Sequence, residues 1–148
     1  MTLDATDRSI LEALGLDSRK SHRQLARELG VAQGTVTNRI RRLEERGVIQ
    51  GYGVRVDPEQ VGWSMTIIAG LRIAKGAMLR VQQEIAQDPR VQAVYDVTGE
   101  YDSLVMARVR DRSDLNDLTK TVFTLEGIER SFTRVVLNTV KEGPVQIP

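Results

Sequence analysis

The sequence of 148 residues has no cysteine, a single histidine, and few aromatics: one Trp, three Tyr and two Phe. Without cysteine there is no disulfide framework, thiolate nucleophile, zinc finger or iron–sulfur cluster. The lone imidazole, His22, makes a poor metal site, so no metal and no cofactor is expected. Scarce aromatics leave few platforms for stacking unpaired bases, which argues against a single-strand binder. No apolar run approaches the roughly 20 residues that span a bilayer. The opening MTLDATDRSI lacks a basic-then-apolar signal pattern. A soluble, cytoplasmic protein with no membrane partner is expected. Ser103 and Ser113 have no general base at a readable spacing, so no catalytic residue is assigned.

Apolar residues make up 41% and charged residues 28%, which is ordinary globular usage and suits one compact domain or two small ones. The net charge of +1 hides an uneven distribution. From Arg19 to Arg42 there are seven basic residues and one acid, Glu28, whereas Ser64 to Pro148 holds eleven of each sign. The first part is cationic and the second neutral.

Three helical patterns come first. Asp4 caps a helix with Ile10, Leu11 and Leu14 on one face, Asp7 in its first turn, and Gly15 as its stop. Ser21 and Gln24 form a capping box for a short helix bearing Leu25, Ala26 and Leu29, with Gly30 as a left-handed stop. Val36, Ile40 and Leu43 recur at i, i+4 and i+7, and Gly47 ends the third helix. From Val48 to Val56 the period drops to two. The extended segment here divides a helix-turn-helix domain (1–50) from a second domain (64–148), with a linker over 51–63. Trp63 is expected to pack near that linker.

The second domain reads strand, helix, strand, strand, helix, strand. Thr66–Ile73 is rich in β-branched residues, and Met78, Val81 and Ile85 mark a helix stopping at Asp88-Pro89. Val91–Val97 and Ser103–Val109 alternate on either side of a Gly99–Asp102 turn, as a hairpin does. Ser113 caps a helix with the stripe Leu115, Leu118, Val122 and Leu125, stopped by Gly127, and a last strand covers 130–139. Two βαβ halves in this order predict an α+β ferredoxin-like arrangement with helices on one sheet face. Ile68, Val94, Leu104 and Met106 are assigned to the uncovered face, opposite Ile67, Ala93, Val105 and Ala107. An apolar face with no cover predicts a two-fold homodimer.

The spacing from Ala26 to Gly30 to Val36 suits a helix-turn-helix. With Val36, Ile40 and Leu43 inward, Gly34, Thr37, Asn38, Arg41 and Glu45 point outward, with Thr35 and Arg42 at the edge. Asn38 suits adenine and Arg41 guanine, while Thr35 and Thr37 suit a thymine methyl or a phosphate. Arg23, Arg27, Arg39 and Arg42 are placed as phosphate contacts on double-stranded DNA. The plainer alternative is a solvated face stitched by i,i+4 pairs such as Arg41 with Glu45. Asp111, Asp114 and Asp117 allow a cation site, but charge around a helix N-terminus explains them more simply.

Along nearly its whole length the chain resembles the Lrp/AsnC family of feast/famine regulators. The resemblance runs through Leu3-Asp4, Ile10-Leu11, Gln24-Leu25-Ala26, Val36 to Ile40, Arg42 to Ile49, Thr98-Gly99-Glu100-Tyr101-Asp102 and Val136-Leu137-Asn138. It implies a winged helix-turn-helix followed by a ferredoxin-like, RAM-type domain, a transcriptional regulator, and dimers assembling to octamers. It also implies a small amino-acid effector at an oligomer interface, with Gly99, Glu100, Tyr101, Asp102 and Thr133 as effector-binding positions. Ala32 departs from the family, which usually has a capping Ser there; the missing cap should cost about 1 kcal/mol. Two alternatives remain at this point. Siroheme decarboxylases are similar to the family, and an effector-independent architectural DNA-binding protein needs the same helix and dimer surface.

Overall fold

The computed structural model describes residues 2–148. They form two compact units: one extends to Arg55 and includes Lys141–Pro148, and the other is Val56–Val140. Among the described residues no helix is long and apolar enough to cross a membrane.

The first unit holds α1 (Ala5–Leu16), α2 (His22–Leu29) and α3 (Gln33–Glu45). The first two start at capping boxes. Asp4 accepts from the Asp7 amide while Asp7 reaches back to the Asp4 amide, and Ser21 and Gln24 form the same reciprocal cap. Gly30 sits at φ 67°, a left-handed stop that only glycine adopts without strain. Ile10, Ala13, Leu25, Ala26, Val36, Ile40 and Leu43 form the buried core. Small Ala26 lets α2 approach α3 closely. Gly15 does not end α1, as the sequence suggested; the helix continues through it to Leu16, and the amide of Asp17 closes it on the Ala13 carbonyl. Residues 50–57 pair with no strand. There the Tyr52 hydroxyl donates to Glu44 Oε1 at 2.7 Å. Within the same unit the tail is held by Arg55, which donates to the Glu142 carbonyl, and by Arg8, which donates to that of Pro148 at 2.5 Å.

The second unit is an antiparallel sheet of four strands in the order β2-β3-β1-β4, with β1 (Met65–Ile73), β2 (Val91–Asp96), β3 (Ser103–Val109) and β4 (Ile128–Val135). Helices α4 (Met78–Ile85) and α5 (Arg112–Thr121) supply Val81, Ile85 and Leu118 to the core beneath Ile67, Ala69, Leu71, Val105, Ala107 and Val109. This is the expected strand-helix-strand-strand-helix-strand order.

Four details differ from the sequence reading. Val94 packs on the helix side opposite Val105, and Ala93 lies opposite Met106 on the open face. A β-bulge between Val91 and Ala93 inserts one residue and reverses the alternation. The cap of α5 is Asp111, whose carboxylate accepts from the Asp114 amide at 2.8 Å; Ser113 lies within the first turn. That helix ends at Thr121 rather than near Gly127, because Phe123, 1% exposed, turns into the core with its amide on the Leu118 carbonyl. Strand β4 spans Ile128–Val135, starting and stopping earlier than the expected 130–139.

Candidate functional site

The outward side of α3 carries Thr35, Thr37, Asn38, Arg41 and Arg42, all exposed, above the buried Val36, Ile40 and Leu43. Thr35, Asn38, Arg39, Arg41 and Arg42 line a shallow groove of about 380 Å³. Among the described residues no ion pair joins Arg41 to Glu45, so the stitched-face alternative lacks its defining contact. Arg23 and Arg27 are exposed on α2, also without an ion pair there, whereas Glu28 is held by Lys20 at 2.8 Å. The cationic side chains therefore remain available while the one acid among them is neutralised.

Arg39 is different. Its guanidinium donates to Asp4 and, at 3.2 Å, to Asp7, tying α3 to the N-terminal cap of α1. The Asp7 amide first, and the Arg39 guanidinium after it, hold Asp4 below its ordinary range. The expectation that Arg39 is a phosphate contact meets a side chain already engaged within the head. Thr37 is also engaged, its Oγ1 lying 2.8 Å from His22 Nδ1. At the start of α3, Ala32 makes no side-chain cap, and Thr35 does not replace it.

The second candidate site is the turn between β2 and β3. Gly99 adopts φ 107°, and the Asp102 amide donates to the Leu71 carbonyl at 2.9 Å. Asp102 Oδ2 accepts from the Ile73 amide at 2.8 Å, so one oxygen of this expected effector-binding residue is occupied in closing the end of β1. Tyr101 lies across Gly70: a Cβ built on Gly70 would fall 2.7–2.9 Å from three of its ring atoms. The strand needs glycine there because the ring occupies the space of a side chain.

Beside Tyr101 the structure assembles residues that the sequence reading did not single out. The Tyr101 and Phe132 ring centroids are 5.4 Å apart. Arg134 lies over Tyr101 at 5.4 Å and donates to its hydroxyl at 2.8 Å, while Arg130 lies over Phe132 at 5.1 Å. The Tyr101 hydroxyl, and Glu100 more weakly, hold the Arg134 guanidinium more firmly protonated. A glycine inside the apolar run of β1 was the available signal for this close approach. Thr133 is not brought to this group. It pairs with Ala69, whereas Phe132 and Arg134 pair with Gly70 and Ile68, so alternation directs Thr133 to the opposite sheet face.

The acidic triplet is structural. Asp111 caps α5, Arg90 bonds Asp114 and Asp117 at 2.9 Å each, and Arg110 also bonds Asp114. Arg110, with help from Arg90, holds Asp114 down at about 2 against the effect of burial. Among the described residues no group of histidine or carboxylate side chains could hold a metal ion.

Known families match both parts of the chain. The family described as "Winged helix-turn-helix DNA-binding" matches residues 3–50, and "Lrp/AsnC ligand binding domain" matches residues 66–146. An uncharacterized HTH-type transcriptional regulator of Pyrococcus horikoshii is 49% identical over 143 residues, covering 96% of both chains. The HTH-type transcriptional regulator FL11 of the same organism is 33% identical, over 95% of this chain and 93% of its own. Among solved structures, E. coli AsnC superposes with a TM-score of 0.90 at 25% identity, covering 98% of this chain and 99% of its own. The feast or famine regulatory protein of M. tuberculosis, complexed with L-methionine, gives a TM-score of 0.90 at 30% identity, covering 99% and 100%.

Proposed function

From the premise that this chain belongs to the Lrp/AsnC family of DNA-binding transcriptional regulators, we propose how it reads DNA and what modulates it. Two copies join through the open faces of their sheets and set their α3 helices into successive major grooves of a duplex. Asn38 and Arg41 read base edges; Thr35 and Thr37 meet a thymine methyl or a phosphate; Arg23, Arg27 and Arg42 hold the backbone. Arg39 acts chiefly by fixing α3 against α1. The observation that carries this reading is the exposed groove side of α3, where Arg41 and Arg42 stand without an acidic partner among the described residues.

A second copy is the natural cover for the open sheet face. Ile68 is 39% exposed and Tyr95 55%, with Leu104 and Met106 half-buried between them. A two-fold contact pairs this patch with itself and spaces two heads for a half-site repeat of about one helical turn. An amino acid held at Gly99, Glu100, Tyr101 and Asp102 then favours one assembly, dimer or octamer, and through it one DNA affinity. Such a protein works in the cytoplasm, where its DNA is.

Footprinting and gel retardation on DNA upstream of the protein's own gene test this reading. Two protected half-sites about 10 base pairs apart are expected. Arg41→Ala should relax preference at one base pair by roughly 1–3 kcal/mol, whereas Arg27→Ala should lower the salt slope by about 1 on every sequence. A sequence-independent loss for Arg41→Ala, or a strictly monomeric protein in sedimentation, would refute it.

A further inference from the structure

We propose that His22 completes the DNA-reading surface: it turns Thr37 so that this residue meets the methyl of a thymine, and it gives its own Nε2–H to a neighbouring phosphate. The proposal rests on the reading above that α3 enters the major groove, and it names which of the two partners considered there Thr37 takes.

A threonine inside a helix commonly returns its hydroxyl to a carbonyl of the preceding turn. Thr119 and Thr121 of α5 do so, donating to the carbonyls of Asn116 at 3.0 Å and Asp117 at 2.7 Å. Thr37 makes no such bond among the described residues. Its Oγ1 lies 2.8 Å from Nδ1 of His22, the first residue of α2, and no other side-chain hydrogen bond joins α2 to α3 among the described residues. Thr37 is exposed and His22 half-buried. A neutral hydrogen bond within reach of water adds little to stability; its effect here is to select a rotamer. The threonine Cβ has two heavy substituents. With Oγ1 turned to α2, the γ-methyl is what Thr37 has left to present on the outward side of α3, beside Asn38 and one turn before Arg41. A methyl there matches the C5-methyl of thymine in the major groove and offers a phosphate nothing.

The imidazole has a second nitrogen. Nε2 has no hydrogen-bond partner among the described residues, and no carboxylate there bonds His22. In a helix-turn-helix the first helix crosses the phosphate backbone while the second lies in the groove. His22 begins the first and touches the outward side of the second, so it stands where groove and backbone meet. Beside a phosphate oxygen Nε2 carries its hydrogen; in the neutral ring Nδ1 then accepts, and the Thr37 hydroxyl donates. The ring therefore serves both contacts at once, one through each nitrogen.

The test uses the full-length protein and the duplex protected in the footprint described above. Each thymine of one half-site is replaced in turn by deoxyuridine, which removes only the methyl, and each phosphate in turn by methylphosphonate. Gel retardation of the parent should reveal one thymine whose replacement weakens binding about fourfold, the effect of one buried methyl. That penalty should vanish in Thr37→Ser, which keeps the hydroxyl and lacks the methyl. It should persist in His22→Asn, whose Oδ1 takes the place of Nδ1, and shrink in His22→Gln, whose amide reaches the place of Nε2 alone. One methylphosphonate should weaken the parent and His22→Gln about tenfold and leave His22→Asn unaffected. Melting curves within a few degrees of the parent establish that the variants fold. The proposal is overturned if the parent shows no thymine penalty, if the penalty survives in Thr37→Ser or is the same in both His22 variants, or if the methylphosphonate loss is unchanged in His22→Asn. Should Arg41→Ala still relax preference at one base pair in those cases, only the His22 assignment falls. A protein that protects no half-sites defeats the groove reading and this proposal together.

Discussion

Arg39 of α3 donates to Asp7 of α1 at 3.2 Å, and through Asp4 it also reaches the second half of the same capping box. One side chain thus orients the groove helix and completes the cap of the helix behind it. Arg39→Ala should lower the melting temperature of the head and weaken binding to all DNA sequences alike. Arg42→Ala, whose side chain is exposed, should weaken DNA binding with little change in melting. Differential scanning calorimetry beside gel retardation separates the two outcomes.

Ala32 begins α3 with extended backbone, φ −66° and ψ 145°, the conformation of a capping residue without its acceptor. Ala32→Ser should place a hydroxyl on an open amide of the first turn and stabilise the protein by about 1 kcal/mol. Urea denaturation of the two proteins measures it; an unchanged midpoint would show that those amides gain nothing from a protein acceptor.

Gly70→Ala should force the Tyr101 ring off the sheet, because its new methyl would lie within 3 Å of three ring atoms. Overpacking of this kind destabilises by roughly 1–3 kcal/mol. The distinctive consequence is loss of the Arg134–Tyr101 contact, so amino-acid binding should fall while DNA affinity without effector stays near that of the parent. Ligand titration together with retardation assays checks both.

Asp114 titrates at about 2, below its ordinary 3.8, chiefly because of Arg110. A carboxyl whose folded value is lowered stabilises the fold fully above the unfolded value and loses that contribution as pH falls through the folded one. Stability should therefore decline between about pH 4 and pH 2. Asp114→Asn should reduce stability at neutral pH by about 1.5–3 kcal/mol, by leaving Arg90 and Arg110 with weaker partners, and should flatten that acid limb. Thermal melts across this pH range test both effects.

Much of the architecture follows from residue order alone, because it rests on local chemistry. Capping boxes at Asp4 and Ser21, the left-handed stop at Gly30 and the stripe Val36–Ile40–Leu43 act within one or two turns, so helix boundaries and the groove side of α3 can be read from the chain. The strand and helix order of the second unit is legible for the same reason.

What required tertiary structure is every feature that depends on partners distant in the chain. Arg39 reads as a phosphate contact until Asp4 and Asp7, 35 and 32 residues away, are brought against it. Val94 and Ala93 exchange faces because a bulge is set by pairing with β3, which strand periodicity cannot register. Thr133 and Tyr101 fall on opposite faces, and Arg134 and Arg130 join Tyr101, only once β4 is laid beside β1. Sequence determines which elements form; the long-range register of strands, a sum of many small packing preferences, decides which side chains meet.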